Sequence, residues 1–279
     1  MLPSGPGGML FAEYDFQDQN INWAGDSRAP AANNGDYEIR TSWVTGSIQY
    51  MFNRAWGLQL DVPYENRYFR TTGAAPGNPI VSFKYGDLGD IRLQGIYTGF
   101  SPDMSAGITY GLKLPTGNST YNDAYGDVDR DSEIGTGSTD LLLGGFFRHN
   151  LAGVKGLGWY AQAAFDLPML TRDSYRPGVE VDAAAGFYYR GWSVGKVKIT
   201  PVAQVIPSER TSDSGANAAY DLNGKPQSGY QRVLLSPGIE FDVHPVTIYA
   251  DVEFPVYEHV SGNQLVAPEL FKVVVSYMF

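Results

Sequence analysis

Residues 56–67 decide the fold of this 279-residue chain, and they read Trp-Gly-Leu-Gln-Leu-Asp-Val-Pro-Tyr-Glu-Asn-Arg. The even positions from Trp56 to Tyr64 are apolar, whereas Gln59, Asp61 and Glu65 at odd positions are polar or charged. Side chains that alternate with a period of two belong to a β-strand with one apolar and one polar face. The stretch therefore predicts a strand whose two faces meet different surroundings.

The same alternation recurs along the whole chain, and no stretch has a sustained helical period. Short connections alternate with long polar ones near 18–36, 71–84, 116–137, 208–229 and 258–267. This pattern is typical of an all-β, antiparallel up-and-down transmembrane β-barrel with short periplasmic turns and long extracellular loops. We expect about twelve strands, at roughly 8–17, 37–52, 55–70, 85–100, 103–115, 138–149, 157–170, 178–190, 195–207, 230–243, 246–257 and 268–279. We also expect one domain over residues 1–279.

The composition excludes several other classes of protein. The chain has no Cys, which excludes a disulfide scaffold and a zinc site built from thiolates. Its net charge of -10 argues against a nucleic-acid partner. The longest clean apolar run, residues 141–147, is far shorter than the about 18 residues of a membrane-spanning helix. No cofactor is implied.

The start of the chain does not resemble an export signal. Residues 1–8 contain neither a basic region nor an apolar segment. Because the rest of the chain predicts a barrel in the outer membrane of a Gram-negative bacterium, we expect that a leader has been removed.

The last strand carries the most specific signal of membrane insertion. Its apolar positions alternate with polar ones up to the terminal residue, and we predict that they form the signal for the barrel-assembly machinery: Phe271, Val273, Val275, Tyr277 and Phe279. An aromatic girdle is predicted at Tyr50, Phe52, Trp56, Tyr64, Tyr97, Phe100 and Trp159. A soluble sandwich of two sheets is the competing fold, because its strands alternate in the same way.

Five prolines each follow a predicted tight turn by about one membrane-crossing length of 9–11 residues. Proline cannot donate a hydrogen bond to a sheet and is rare inside one. We therefore predict that strands leave the lipid at Pro63, Pro115, Pro168, Pro207 and Pro255.

Three motifs occur in order in the first half of the chain: Asp-Val-Pro-Tyr-Glu-Asn-Arg at 61–67, Gly-Asp-Leu-Gly-Asp-Ile at 86–91 and Gly-Leu-Lys-Leu-Pro-Thr-Gly at 111–117. This series resembles the outer-membrane family called "MetA-pathway of phenol degradation", whose members are often described as transporters. The resemblance extends loosely over most of the chain. The resemblance implies a porin-like outer-membrane barrel that passes small molecules, with aromatic molecules as one option, and it carries no defined functional residues.

If the apolar face of each strand contacts lipid, the polar face lines the lumen. The side chains predicted to line a pore are Asp61, Glu65, Arg67, Arg92, Lys113, Asp166, Arg232, Asp251 and Glu253. They form either an ion-pair network that fills the barrel or a charged constriction that selects solutes. The excess of carboxylates favours cations or neutral solutes. Tyr188, Tyr249 and Tyr257 are candidate aromatic lining residues.

Two other kinds of site receive little support. Asp127, Asp129 and Asp131 form a weak candidate metal site, because the loop that holds them lacks the glycine and glutamate of a calcium-binding EF-hand. No Gly-x-Ser-x-Gly motif is present, so we expect no enzyme and no catalytic residues. A barrel enzyme would need a histidine near a hydroxyl or carboxylate at the outer rim.

The sequence thus favours a transmembrane channel for passive, selective transport of small molecules. The alternative is a non-conducting barrel that acts as a surface anchor or binds a partner through its long loops. The expected partners are outer-membrane lipid and lipopolysaccharide, the barrel-assembly machinery and a small-molecule solute. A surface protein or a homo-oligomer is also possible for the loops and wall.

Overall fold

The computed structural model describes residues 6–31, 34–73, 78–221 and 223–279. Antiparallel strands form a closed barrel of twelve strands, as the alternation predicted. In chain order they are β1 (Gly7–Gln19), β2 (Asp36–Met51), β3 (Trp56–Thr71), β4 (Val81–Leu88 and Ile91–Tyr97), β5 (Ala106–Leu114), β6 (Ser138–Asn150), β7 (Leu157–Thr171), β8 (Glu180–Tyr189 and Trp192–Val194), β9 (Val197–Arg210), β10 (Tyr230–Val243), β11 (Val246–Val266) and β12 (Leu270–Met278).

The barrel closes because the last strand pairs with the first. β12 pairs with β1 in an antiparallel register that runs from Met9 opposite Met278 to Gln17 opposite Leu270. Beyond this ladder the backbones of Gly8 and Phe279 exchange two hydrogen bonds of 2.9 Å. The Phe279 ring lies so close to Gly8 that a Cβ at that position would clash with it.

The two faces of the wall have opposite chemistry. On β5, Ile108, Tyr110 and Leu112 are each more than 40% exposed on the outside, whereas Lys113 is buried in the lumen. On β12, Phe271, Val273, Val275 and Tyr277 are exposed on the outside, whereas Val274 between them is buried. Such large exposed apolar side chains are stable in hydrocarbon and not in water. The wall is therefore lipid-facing, and the soluble sandwich is wrong.

Both described termini and the tight turns lie at the same end of the barrel. The connections after β2, β6 and β10 are short, and the longer ones open at the opposite end. In outer-membrane barrels the short turns are periplasmic and the long loops extracellular. The architecture is that of a Gram-negative outer-membrane protein. Among the described residues, no helix is long and apolar enough to cross a membrane.

Two of the predicted long polar connections, 18–36 and 258–267, contain β-structure that the sequence analysis did not predict. β11 has 21 residues, and its upper part pairs with a short strand, Ile21–Gly25, which in turn pairs with Ser27–Arg28. About 9–11 residues of tilted strand suffice to cross a membrane. This side of the barrel therefore continues as a three-stranded extension on the extracellular side.

Pro63 and Pro255 lie inside β3 and β11, which continue past them, so these prolines do not end their strands, and the exit of the strands from the lipid at these positions stays a prediction. Residues 89 and 90 face Pro63 and interrupt β4. On either side of this interruption β3 and β4 pair regularly, with Tyr64 opposite Leu88 and Asp61 opposite Arg92. Pro255 and Pro168 pair beside register shifts in β10 and β6. Proline lacks the N–H that regular strand pairing uses, so it is tolerated where the pairing is already irregular. These prolines shape the wall rather than end it.

The closure geometry leads to a prediction about assembly. Deletion of Phe279 removes both hydrogen bonds to Gly8 and the ring contact, so we expect a lower yield of folded barrel. The measurement is the fraction of heat-modifiable protein on a gel after refolding. Phe52→Ala is the matched control, because Phe52 has the same 58% exposure as Phe279 but lies outside the closing strand pair. Equal yields for the two variants would refute the role of Phe279 in closure.

Candidate functional site

A single continuous cavity of about 1470 Å³ occupies the lumen. It is lined at the periplasmic end by Gly8 and His244 and at the extracellular end by Tyr175 and Gly178. All twelve barrel strands contribute lining residues. The cavity therefore extends along the length of the barrel.

All nine side chains predicted to line a pore contact this cavity: Asp61, Glu65, Arg67, Arg92, Lys113, Asp166, Arg232, Asp251 and Glu253. They lie on six different strands. The structure thus brings together residues that are far apart in sequence. Their part in the selection of solutes stays a prediction.

Some of these charges are paired across neighbouring strands. Lys113 on β5 forms ion pairs with Asp140 on β6 and with Asp166 on β7, the latter at 2.8 Å between Nζ and Oδ2. Asp140 is completely buried. Arg67 Nη2 lies 3.5 Å from Glu65 Oε2 on the same strand. These contacts correspond to the ion-pair network that the sequence offered as one explanation of the lumen.

Other charges face the cavity without an ionic partner. Arg92 is exposed to the lumen and makes no salt bridge within the part of the chain that the structure describes. The Arg232 guanidinium lies 4.7 Å from the Tyr230 ring centre, and its buried Nε has no hydrogen-bond acceptor among the described residues. Neither cation forms a salt bridge with a described residue, in contrast to Lys113.

A second polar network was missed by sequence reasoning. Gln204 on β9 donates from Nε2 to Asp251 Oδ2 at 2.8 Å. Ser236 and Tyr249 donate to the same oxygen at 2.7 and 2.9 Å. The network joins β9, β10 and β11 on the inner wall.

Tyr188 and Tyr249 line the cavity, but the prediction for Tyr257 is wrong, because its side chain lies outside the cavity and is exposed.

Residues 116–137, which we call the strap, fold from the extracellular end over the cavity. The strap is held by Asp90, the residue at the interruption of β4. Asp90 Oδ1 accepts a hydrogen bond from Gly117 N at 2.9 Å. Its Oδ2 accepts bonds from Thr136 N at 2.8 Å and from Thr136 Oγ1 at 2.7 Å. One carboxylate thus fastens both ends of the strap to the wall.

The middle of the strap reaches the loop between β7 and β8. The Arg130 guanidinium lies 4.8 Å from the Tyr175 ring centre and 3.6 Å from Asp173 Oδ2. Arg130 Nη2 also donates to Thr136 O at 3.0 Å, within the strap. The strap therefore crosses the mouth of the barrel and narrows it. Its side chains that line the cavity are Arg130, Asp131, Glu133, Ile134 and Thr136.

Stacked aromatic rings support the strap from one side. Tyr121 of the strap stacks on Tyr85 of β4, with ring centres 3.9 Å apart and planes 15° apart. Tyr85 and Phe83 stack in turn on Phe69 of β3. The Tyr85 hydroxyl donates to Ser132 O at 2.6 Å. These contacts fix the conformation of the strap, which makes it part of the mouth and not a loose loop.

The structure also shows where the residues of the candidate metal site and the histidine at the outer rim lie. Asp127 and Asp129 are exposed whereas Asp131 turns towards the lumen, and no group of three or more acidic or histidine side chains among the described residues is placed to hold a metal ion. At the outer rim, His259 Nδ1 lies 2.7 Å from Asp26 Oδ1. This pair meets the stated requirement of a histidine near a carboxylate, and no hydroxyl of the described residues is hydrogen-bonded to His259 as a nucleophile would be.

Sequence reasoning missed the strap as a structural unit. The residues that hold it, such as Asp90 and Thr136, are 46 positions apart and belong to no common local pattern. One signal was present in the motif 86–91, where two aspartates flank Leu-Gly instead of continuing the alternation. The alternation of a single sequence does not show which residue such a break pairs with after folding.

The lipid-facing wall, the closed antiparallel ladder and the charged lumen define an outer-membrane β-barrel. No protein-family model matches the chain. No curated protein matches it either.

Solved structures show the same fold. The COG4313 outer membrane channel from Pseudomonas putida F1 superposes with a TM-score of 0.64 and 12% identity, over 100% of this chain and 97% of that chain. The β domain of the Bordetella autotransporter BrkA gives a TM-score of 0.58 and 13% identity, over 98% of this chain and 100% of that chain. At these identities the likeness establishes the architecture alone.

The ion pairs of Lys113 lead to a stability prediction. Lys113→Gln leaves Asp140 and Asp166 close together without a cation, and we expect it to lower the free energy of unfolding by about 3 kcal/mol. Addition of Asp140→Asn restores part of the loss. The measurement is denaturant-induced unfolding in lipid vesicles. Lys198→Gln is the control, since the exposed Lys198–Asp242 pair should contribute less than about 1 kcal/mol. Equal losses for both lysines would contradict this account.

The strap should be sensitive to pH because it buries Glu133. Burial raises the pKa of this carboxyl from 4.5 to about 7, and burial also raises the pKa of Asp131 to about 6. Both groups are protonated more readily in the docked strap than in a free one. Docking of the strap is therefore unpenalised below about pH 3.8 and becomes weaker as the pH rises, through about 6 for Asp131 and about 7 for Glu133.

A spin label can measure this effect, because the chain has no native Cys. With a label at Ala124→Cys, we expect greater nitroxide mobility at pH 8 than at pH 5. Glu133→Gln should reduce the difference, with Asp131 responsible for what remains. Identical spectra at both pH values would show that the buried carboxyls do not control the strap.

Proposed function

We propose that this protein is an outer-membrane channel for the passive, selective passage of small molecules. The observation that carries the proposal is the continuous cavity, which extends from residues at the periplasmic end to residues at the extracellular end. A barrel of about eight strands is filled by its own side chains, whereas one of 16–18 strands is an open pore. Twelve strands with a strap across the mouth suit a narrow path for small solutes.

Charge is the proposed basis of selection. Carboxylates outnumber basic side chains along the cavity, so the field of the lumen attracts cations and repels anions. Arg92 and Arg232 interrupt this field as unpaired cations. A permeating molecule therefore meets both signs of charge, which suits small cations and neutral polar solutes better than anions.

An aromatic solute is the finer proposal. Tyr188 and Tyr249 line the cavity and present ring surface on which an aromatic molecule can stack. The resemblance of motifs 61–67, 86–91 and 111–117 to the "MetA-pathway of phenol degradation" family supports the same solute class. The fold likeness to the COG4313 channel is consistent with transport across the outer membrane.

The alternative function is a non-conducting platform that binds a partner on the cell surface. The strap supports it, because the strap is fixed at both ends and crosses the mouth. The three-stranded extension next to β11 also offers an ordered surface outside the membrane. If the strap closes the mouth, solutes do not pass through the lumen, and the barrel acts through its extracellular surface.

Reconstitution in a planar bilayer distinguishes the two functions. The channel predicts steady conductance steps, a reversal potential that favours cations in a salt gradient, and block by small aromatic solutes. Absence of conductance from folded, heat-modifiable protein would refute the channel and support the platform. Conductance without block by aromatic solutes would support the channel function and refute the proposal of an aromatic solute.

Two substitutions test whether the predicted residues set the selectivity. We expect Asp61→Asn to shift the reversal potential towards anions and Arg67→Gln to shift it towards cations, because each removes one charge from the cavity lining. Lys84→Gln is the control, since Lys84 is exposed and lies outside the cavity. If the control shifts the potential as much as the lining variants, these residues do not act through the lumen.

A further inference from the structure

Four carboxylates on two strands of the inner wall share a single lysine on the strand between them. Asp251 of β11, Lys272 of β12 and Asp15 of β1 occupy neighbouring positions in the ladder. Glu253 and Glu13 lie two residues from Asp251 and Asp15, and all five side chains line the cavity. We call these five residues the Lys272 cluster. It holds three more negative than positive charges.

Lys272 contacts only half of the cluster. Its Nζ lies 3.3 Å from Asp15 Oδ1 and 3.7 Å from Glu13 Oε1. It makes no salt bridge with Asp251 or Glu253. The two carboxylates of β1 therefore have a cation in contact, whereas the two of β11 have none among the residues that the structure describes.

Asp251 is 5% exposed, and only one of its oxygens is satisfied. Oδ2 accepts hydrogen bonds from Gln204, Ser236 and Tyr249. Oδ1 has no hydrogen-bond partner in the described part of the chain. All three donors are neutral groups, so they hold the carboxylate in place and leave its negative charge without a counter-ion.

Glu253 faces the cavity without a direct partner. It is 9% exposed, and it forms neither a hydrogen bond nor a salt bridge with any described residue. Arg232 of β10 acts on Glu253 electrostatically, but not through a salt bridge. The same guanidinium also acts on three other carboxylates: Glu180, Asp182 and Glu258. A carboxylate that is buried and unpaired is costly, and a cation that enters the lumen removes this cost.

The spacing of the two carboxylates and a neighbouring ring indicate the kind of cation. Residues two apart on a strand are separated by about 7 Å, a distance that an organic group with several N–H donors spans better than one metal ion does. Tyr249 lies two residues before Asp251 and also lines the cavity. Guanidinium and ammonium groups are attracted to the face of a tyrosine ring.

We propose that Asp251, Glu253 and Tyr249 form a binding site for a small organic cation with a guanidinium or ammonium group. This inference rests on the proposed channel function, and it names the solute class that the path binds. The N–H donors of the solute pair with Glu253 and with the unsatisfied side of Asp251, and the Tyr249 ring lies against the cation. Lys272 stays with the carboxylates of β1 and leaves those of β11 to the solute.

Equilibrium binding to the detergent-solubilised barrel tests the site by isothermal titration calorimetry. Methylguanidinium is the probe, and N-methylurea, which has a similar shape and no charge, is its control. At about pH 8, well above the ordinary pKa of a carboxyl, we expect methylguanidinium to bind about tenfold more tightly. Glu253→Gln and Asp251→Asn should each weaken its binding about fivefold, because each removes one charge-assisted contact.

Matched variants make the test specific. Asp242→Asn removes a carboxylate that lines the same cavity but is already paired with Lys198 at 3.4 Å, and it should leave the affinity nearly unchanged. Glu253→Asp keeps the charge and should retain binding. Glu253→Gln breaks no described hydrogen bond, so its effect is not a loss of folding. Equal binding of the two probes, an unchanged affinity in the Asp251→Asn, Glu253→Gln double variant, or the same loss with Asp242→Asn would overturn the proposal.

A planar bilayer recording on the same protein separates this proposal from the channel function. Conductance without binding of methylguanidinium would overturn the site and leave the channel. Binding of methylguanidinium that depends on Asp251 and Glu253, in a barrel that does not conduct, would support the site and refute the channel.

Discussion

The structure depends on the pairing of β12 with β1. In hydrocarbon every backbone N–H and C=O must find a partner within the protein, so an open sheet cannot span a membrane. Nine residue pairs between the first and last strands meet this requirement. Once the ring is closed, each strand has one face towards lipid and one towards the lumen, and the chemistry of both follows from the alternation.

The lumen shows what such closure allows. Charged side chains that would be unstable in lipid are placed in a polar interior, where they pair as Lys113 does with Asp140 and Asp166, or remain unpaired as Arg92 does. Paired charges stabilise the wall, and unpaired ones are left to interact with a molecule inside. The same lumen thus contains a structural network and a candidate site for solutes.

The sequence predicted the features that depend on neighbouring residues. Alternation identified the strands, their lipid-facing sides and the lining residues, because the period of two is local. It missed the extension, because Gln264 of β11 pairs with Trp23 across most of the chain. It missed the strap for the same reason, since Asp90 meets Thr136 only after folding. It did not predict that Pro63 lies opposite the interruption of β4.

The interruption of β4 has a consequence for how such a protein can diversify. It places Asp90 where a single carboxylate holds the strap, and the strap makes no ladder with the barrel strands. Insertions, deletions and substitutions in the strap can therefore alter the aperture while the backbone pairing in the lipid is preserved. A lineage built on this plan is free to reshape its mouth while it inherits the same wall.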